Sequence, residues 1–322
     1  TPGSGKSVMM NNNLVETCMM PGLKRLPIIT VIDKGISSSG FINTIRDALP
    51  NHKKHLAVIE KLRKDEDYAI NPFDIKVGLT RPLQSEKTQM VAFLTALLTP
   101  AELTEPYEGT QGFVNFLVER MFDSIQEVGE NATPNVYQYE QNSDLDRYLI
   151  DNDIVKYNVQ HNGLPNYYDP ERVTYFALVR VLHQRGQSFP DNSVERERAW
   201  RARDLAHRLA MPLIGTLNNI LTAPATVELY TNVISTGETM PRYAIRAIGE
   251  ATAAYPCFAH YTKFDVDTAR VVALDLQEVL DKNNRKQSSL FLQIARMIGV
   301  KKISLTKEDI DSDVIPELFK PY

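Results

Sequence analysis

The chain has 322 residues, of which 43% are hydrophobic and 24% charged, and its 36 basic and 40 acidic side chains leave a net charge of −4. This composition is that of an ordinary globular protein with room for about one to three domains. The slightly acidic balance excludes a protein that wraps nucleic acid over its whole surface, so any such contact must be local.

The first 84 residues alternate between helix and strand patterns. A small, Gly-rich loop over residues 1–7 leads into the first helix, which stops at Pro21-Gly22. The apolar, β-branched run that follows is typical of a fully buried parallel strand, and it ends at Asp33. The predicted elements are helices over 8–20 and 41–49, a strand over 26–32 and weaker strands over 55–59 and 68–73. This alternation indicates an α/β protein.

A mostly helical block follows, from about residue 85 to residue 263. Ser85 is a plausible N-cap for the first helix of this block. A polar stretch over 131–169, rich in Asn, Asp and Tyr, has little periodicity, and we expect it to be irregular. The predicted helices of the block lie over 85–98, 111–128, 170–185, 194–210, 212–221, 224–234 and 241–254.

The α/β pattern then resumes, with a strand over 269–274 that ends at Asp275 and a helix over 287–298. We therefore divide the chain into the first part of an α/β core (1–84), a helical insertion (85–263) and the resumed, incomplete core (264–322). The chain has no initiating Met and Thr1 falls inside a motif, and the last residues, Phe319-Lys320-Pro321-Tyr322, do not look like the end of a domain. We therefore expect a fragment that is truncated at both ends.

The strongest functional signal is the opening segment, Thr1-Pro2-Gly3-Ser4-Gly5-Lys6-Ser7. It matches the end of the P-loop pattern, Gly, four residues, Gly-Lys-Ser/Thr, whose first Gly would directly precede Thr1. Such glycines let backbone N–H groups approach phosphate oxygens, and the positive end of the following helix points at the same phosphates. The alternative to a phosphate-binding loop is that these glycines and serines form an ordinary turn and match the pattern by chance.

The motif predicts a site for ATP with Mg²⁺. Lys6 would contact the β- and γ-phosphates and is the predicted catalytic residue. The hydroxyl of Ser7 would ligate Mg²⁺. The predicted nucleotide-binding residues are Pro2, Gly3, Ser4, Gly5, Lys6, Ser7 and Val8.

Hydrolysis of ATP also needs carboxylates, one for the magnesium shell and one to orient water. Two predicted strands end in Asp, at Asp33 and at Asp275, and Glu278 follows the second. If both strands are parallel members of one sheet, both aspartates lie on its ligand side. Three interpretations of Asp275 stay open: it is the Walker B carboxylate, it caps a turn, or the Walker B strand lies beyond Tyr322.

The remaining charged and metal-binding residue types give weaker signals. The alternating charges over 194–205 predict a solvated helix face and not a nucleic-acid groove. One of Arg242, Arg246 and Arg270 could complete a neighbouring subunit's site, and the sequence does not select one. The histidines lack metal-ligand spacing, so we expect no metal site besides that for Mg-ATP. Two cysteines are too few for a disulfide framework, and no apolar run reaches the roughly 18 residues of a membrane span.

Three segments together resemble the large assembly ATPase of type IV secretion and conjugation systems. In that family a P-loop is followed by a strand ending in Asp-Lys, an Asn-Pro-Phe segment, a helical block and a strand of the form Asp-Leu-x-x-(Ile/Val)-Leu-Asp. The matching residues here are Thr1–Val8, Thr30–Gly35 with Asn71-Pro72-Phe73-Asp74, and Leu274-Asp275 through Asp281. The Ser37–Gly40 loop and the long insertion resemble the Dot/Icm and IncI-plasmid branch.

The resemblance implies a P-loop NTPase fold, a parallel sheet of the RecA/FtsK type flanked by helices. It implies a cytoplasmic ATPase, peripheral to the bacterial inner membrane and without an integral membrane segment, that acts as a homo-hexamer on inner-membrane components of the secretion channel. Its transfer substrate would be DNA or protein. It also implies that Asp275 lies on the strand before the Walker B strand. The alternatives are a DNA-translocating P-loop motor of the coupling or packaging type and a non-catalytic nucleotide-binding scaffold.

Overall fold

The computed structural model describes residues 5–23, 25–35, 38–130, 132–155, 157–158, 166–167, 173–191, 193–264, 266, 268–303, 307–311 and 315–319. The strands are β1 (Ile29–Asp33), β2 (Ala57–Lys61), β3 (Tyr157–Asn158), β4 (Asn166–Tyr167) and β5 (Val271–Asp275). The helices are α1 (Lys6–Cys18), α2 (Ser39–Ala48), α3 (Gln84–Leu98), α4 (Thr110–Ser124), α5 (Ser143–Asp151), α6 (Tyr175–Ser188), α7 (Val194–Ala210), α8 (Thr216–Thr222), α9 (Pro224–Leu229), α10 (Met240–Ala254), α11 (Arg285–Ile303) and α12 (Lys307–Asp311).

These elements form two compact units. Unit 1 comprises Thr1–Pro72, Gln84–Val118 and Leu213–Ser304, and unit 2 comprises Phe73–Leu83, Glu119–Pro212 and Leu305–Tyr322. Residues 85–263, which the sequence groups as one helical insertion, are therefore divided between the two units.

The sheet of unit 1 has three parallel strands in the order β1-β5-β2. Every residue of the central strand β5 is buried, as expected for a strand with neighbours on both sides and helices on both faces. The α/β class and the parallel pairing predicted from the sequence are thereby confirmed. The expectation that β1 is fully buried is wrong: Ile32 is 45% exposed, because in the described part of the chain β1 pairs with β5 alone.

Helices cover both faces of this sheet. On one face α1 and α2 pack against the strands through a cluster that includes Cys18, Phe41, Ile45, Ala57 and Val271. On the other face α11 lies so close that a Cβ added at Gly299 would stand 3.5 Å from the Thr30 side chain. Beyond α11 lies α3, and Phe258 joins the two helices, with ring centroids 5.3 Å from Phe93 and 5.0 Å from Phe291.

The weaker strand predicted over 68–73 does not form, and that prediction is wrong. The backbone N–H of Ile70 donates to the carbonyl of Cys257 over 2.8 Å, and that of Asn71 donates to the Thr262 hydroxyl over 2.9 Å. Because these contacts satisfy the buried backbone groups, the apolar segment needs no sheet neighbour.

Two helix predictions also need correction. α3 begins at Gln84, so Ser85 lies in its first turn and is not its N-cap. The polar stretch predicted to be irregular contains α5, whose N-cap Asn142 accepts a hydrogen bond from the Leu145 N–H over 2.9 Å. Leu145 and Leu149, one turn apart, are both buried. Two apolar residues among polar ones are too weak a periodic signal to reveal so short a helix.

In unit 2, α6 packs against α7 around Trp200. The guanidinium groups of Arg196 and Arg203 lie 4.4 and 5.2 Å from the Trp200 ring centroid. Arg203 also forms an ion pair with Asp204 over 2.7 Å, and Asp204 is buried. The prediction that the charges of α7 form a solvated face is therefore wrong for these residues, which pack inside the unit because their charges are paired.

We expect Gly186→Ala to destabilise the α6–α7 packing by about 1 to 2 kcal/mol, because overpacking outweighs the helix-propensity gain of alanine. A Cβ at this buried glycine of α6 would overlap the Trp200 indole ring. Urea unfolding monitored by Trp fluorescence measures the effect. Gly112→Ala is the matched control, since no described atom lies within 4 Å of a Cβ there. An equal or higher unfolding midpoint for Gly186→Ala would refute the packing argument.

We also expect a pH dependence of stability from His183, whose ring contacts Phe319, with centroids 4.4 Å apart. Burial and the nearby Arg203 charge lower the pKa of His183 from 6.5 to about 4. The Arg203 guanidinium lies 3.0 Å from Nδ1, and arginine only donates, so this nitrogen carries no proton. The unfolded chain takes up a proton below about pH 6.5, so stability is fully present above that pH and falls towards pH 4.

The measurement compares urea midpoints at pH 7.5 and pH 5.0. The midpoint should drop less in His183→Gln than in the unchanged protein, whereas the exposed His52→Gln should keep the full drop. Equal drops in all three proteins would show that His183 does not contribute.

Candidate functional site

Two aspartates end neighbouring strands at the carboxyl edge of the sheet. Asp33 of β1 pairs in register with Asp275 of β5. Val31 and Ala273, each two residues earlier, contribute to the cluster on the α1 and α2 face. Because side chains alternate along a strand, both aspartates point to that same face. The parallel pairing thus places both carboxylates at the same edge of the sheet, as the sequence predicts.

The Asp275 carboxylate bonds to two turns. Its Oδ1 accepts hydrogen bonds from the N–H groups of Gly35, over 3.0 Å, and of Gln277, over 2.9 Å. Asp275 is buried, so these bonds compensate for the desolvation of its charge. The sequence left three interpretations of Asp275 open, and the hydrogen bonds of its Oδ1 are those of a residue that caps a turn. A role of Asp275 in the magnesium shell stays a prediction.

Asp33 organises the entry to α2. Its Oδ1 accepts from the Lys34 N–H over 2.8 Å, and its Oδ2 accepts from the hydroxyl of Ser38, the buried N-cap of α2, over 3.0 Å. Gly35 between them has φ of 119°, a conformation that side-chain-bearing residues rarely adopt. Neither Gly35 nor Ser38 is among the residues predicted from the sequence to have these roles, although an Asp followed by Lys-Gly and serines is a recognisable turn signal.

Only part of the predicted phosphate loop lies in the described structure. Pro2, Gly3 and Ser4 lie outside the described residues. Lys6 and Ser7 form the first turn of α1, and their side chains are not described. Val8 follows in the helix and is 64% exposed.

Gly5 occupies the N-cap position of α1 in a left-handed conformation, with φ of 71° and ψ of 3°. No atom of the described residues lies within 4 Å of the place where a Cβ would stand. The first turn of α1 contains no acidic side chain. This end of the helix therefore offers its backbone N–H groups and its positive dipole to an anion without local repulsion.

Glu278, which follows Asp275 three residues later, is paired with an arginine. Both its oxygens face Arg63, with Nε to Oε2 and Nη2 to Oε1 each 2.9 Å. Arg63 also donates to the Tyr68 hydroxyl over 3.0 Å and lies 4.5 Å from that ring centroid. In this arrangement Glu278 orders the segments after β2 and β5; the sequence did not predict this partner, which is 215 residues away.

The three arginines considered for completing a neighbouring site differ in the structure. Arg246 pairs with Glu238 over 3.0 Å and with Glu250 over 3.2 Å, and these hydrogen bonds raise its pKa. Arg270 donates from Nε to the carbonyl of Leu26, and burial lowers its pKa. Arg242 on α10 is exposed. The first two therefore have structural partners within their own unit.

Cysteine chemistry is disfavoured in this fold. Cys18 and Cys257 are both free and buried, and burial raises the pKa of each thiol, to about 12 for Cys257. A thiol in that state is a poor nucleophile. Among the residues that the structure describes, no three His, Cys, Asp or Glu side chains form a group that could hold a metal ion. No helix in the described ranges is long and apolar enough to cross a membrane.

Comparisons of the chain with models of protein families, with curated proteins and with solved structures found no match. The site must therefore be interpreted from its own residues and their geometry.

Proposed function

We propose that this chain binds ATP with Mg²⁺ as the P-loop part of a motor ATPase, of the kind that energises type IV secretion or conjugative transfer. The observation that carries this proposal is a left-handed Gly5 directly before Lys6, Ser7 and α1. A glycine in this conformation followed by a helix N-terminus is the arrangement in which backbone amides surround a phosphate. The residues proposed to surround the triphosphate are Pro2, Gly3, Ser4, Gly5, Lys6, Ser7 and Val8.

The position of α1 relative to the sheet supports this assignment. Its last residue, Cys18, is buried with Ala57 and Val271, the first residues of β2 and β5. In the proposed arrangement α1 ends at the amino edge of the strands. Its 13 residues span about 18 Å, whereas a five-residue strand spans about 13 Å. A helix of this length that runs back over the sheet would place Gly5 just beyond the carboxyl edge, near Asp33 and Asp275.

The same edge suits a magnesium ion bound with the nucleotide. Mg²⁺ prefers oxygen ligands from one or two protein groups together with phosphate oxygens. The Ser7 hydroxyl would be the direct protein ligand, and Asp33 and Asp275 supply negative charge at the same edge. The ion would neutralise charge on the phosphates, and Lys6 would hold the β- and γ-phosphates in place.

The wider role of the protein follows from the resemblance to secretion ATPases. On that basis the protein would be cytoplasmic and peripheral to the inner membrane. It would assemble as a homo-hexamer on channel components and move DNA or protein. Crosslinking to inner-membrane channel proteins in cells tests this part of the proposal, and capture of none of them would contradict it.

A DNA-translocating motor of the coupling or packaging type is the second candidate. Exposed cations beside the sheet favour it: Lys34, Lys282, Arg285 and Arg296. ATP turnover with and without DNA distinguishes the two, because stimulation by DNA favours the DNA motor.

We expect Lys6→Ala to weaken Mg-ATP binding by at least about tenfold, because a charged hydrogen bond to phosphate contributes about 1.5 to 3 kcal/mol. Titration calorimetry on the chain measures the affinity. Lys53→Ala is the matched control, since Lys53 precedes β2 and lies at the opposite edge of the sheet. If Lys6→Ala binds Mg-ATP as tightly as Lys53→Ala does, the P-loop assignment is wrong.

Ser7→Ala should remove the part of ATP affinity that depends on Mg²⁺ and leave the affinity measured in EDTA unchanged, because only the hydroxyl ligates the ion. Ser7→Thr keeps the hydroxyl and should restore the magnesium dependence. The comparison needs affinities with and without Mg²⁺ for all three proteins. A magnesium dependence that persists in Ser7→Ala would place the ion elsewhere.

A further inference from the structure

A basic cleft lies on the α11 side of unit 1, where β1 ends and the segment after β5 enters α11. Its volume is about 560 Å³, within the range of ligand sites. Four cations line it, Lys34, Lys282, Arg285 and Arg296, with one carboxylate, Asp281. For a chain with a net charge of −4 this is a marked local excess of positive charge.

These cations are available to a ligand. All four are exposed, and within the described residues none forms an ion pair with a carboxylate. The Asp281 carboxylate accepts a hydrogen bond from the Asn283 N–H over 2.8 Å, which holds it in a local turn. Arg63 and Arg246, by contrast, both form ion pairs with glutamates of unit 1. The charges of the cleft therefore do not connect segments of the unit as those ion pairs do.

The spacing of the arginines favours a linear polyanion. Arg285 and Arg296 are eleven positions apart on α11, which separates them by about 16 Å along the helix axis. A single phosphate group cannot contact both. A nucleic-acid strand carries a phosphate on every nucleotide and can pass both in succession.

Between the arginines the cleft offers groups suited to unpaired bases. Leu280 and Leu292 give it apolar surface. Leu292 is 46% exposed. A duplex keeps its bases stacked on one another, so this apolar surface favours a single strand, whose unpaired bases can pack on it.

We infer that this cleft binds the backbone of a single-stranded nucleic acid, with Lys34, Lys282, Arg285 and Arg296 on successive phosphates and unpaired bases against Leu280 and Leu292. The described residues that line it include no aromatic ring, so charge supplies most of the affinity and salt weakens it steeply. The inference does not depend on whether ATP binds at α1.

Fluorescence anisotropy of a labelled single-stranded oligonucleotide of about 20 nucleotides, longer than a typical site, tests the inference. The titration uses the whole chain in EDTA without nucleotide, so that a failed ATP site cannot affect the result. Arg285→Gln with Arg296→Gln should weaken binding by at least about tenfold. It should also reduce the slope of log K against log salt by about 1.4, since each phosphate contact contributes about 0.7.

Matched variants separate the cleft from general charge effects. Arg147→Gln with Arg198→Gln removes two exposed arginines outside the cleft, and it should bind like the unchanged chain. Arg285→Lys with Arg296→Lys keeps the charges and should retain most of the affinity. Equal binding by the two double glutamine variants overturns the inference. A second outcome also overturns it: a poly-glutamate peptide binds as tightly as the oligonucleotide, and its binding depends on Arg285 and Arg296 to the same extent. The cleft would then bind an acidic protein segment.

Discussion

The pairing of β5 with both β1 and β2 is the interaction on which unit 1 depends. It joins segments that lie about 240 and 215 positions apart in the chain, as the registers Asp33 with Asp275 and Ala57 with Val271 show. Closing such long loops costs conformational entropy. Burial of every residue of β5 between two strands and two helical layers offsets that cost. The order of the sheet also decides which residues meet at its carboxyl edge.

At that edge the structure uses carboxylates and backbone amides together. Asp275 accepts from the amides of Gly35 and Gln277, and Asp33 accepts from the Lys34 amide and the Ser38 hydroxyl. Each bond ties a turn to the end of a strand, so the turns are held before any ligand arrives. If the proposed phosphate and metal ion bind at this edge, they would meet groups that are already in place and do not have to be ordered on binding.

Charged residues in this protein serve different purposes in different places. In unit 2, Arg196 and Arg203 pack on the Trp200 ring and Asp204 is buried with its partner. Arg63 and Arg246 in unit 1 form ion pairs that connect neighbouring segments. In the part of the chain that the structure describes, the four cations of the cleft neither pack on an aromatic ring nor form an ion pair, and they line a surface that is open to a ligand. A net charge of −4 therefore says little about local binding, since binding depends on the field at one site.

The sequence by itself determined the local features. Strong helical periodicity predicted α7 with the bounds that the structure has, and a short apolar run ending in Asp predicted β5. Such patterns can be read because a helix or a buried strand is decided by neighbouring residues. The chemistry proposed for Gly5, Lys6 and Ser7 also rests on a contiguous motif, and the binding of ATP and Mg²⁺ stays a prediction.

Only the tertiary structure decided which distant residues meet. It assigned residues 68–73 to contacts with 257–263 in place of a strand, paired Arg63 with Glu278 and placed Lys34 beside α11. No local pattern specifies these partners, because the free energy that selects them comes from burying surfaces that are far apart in the chain. The exposure of β1 has the same origin: its apolar run indicates a strand, but the number of its neighbours is a property of the assembled sheet.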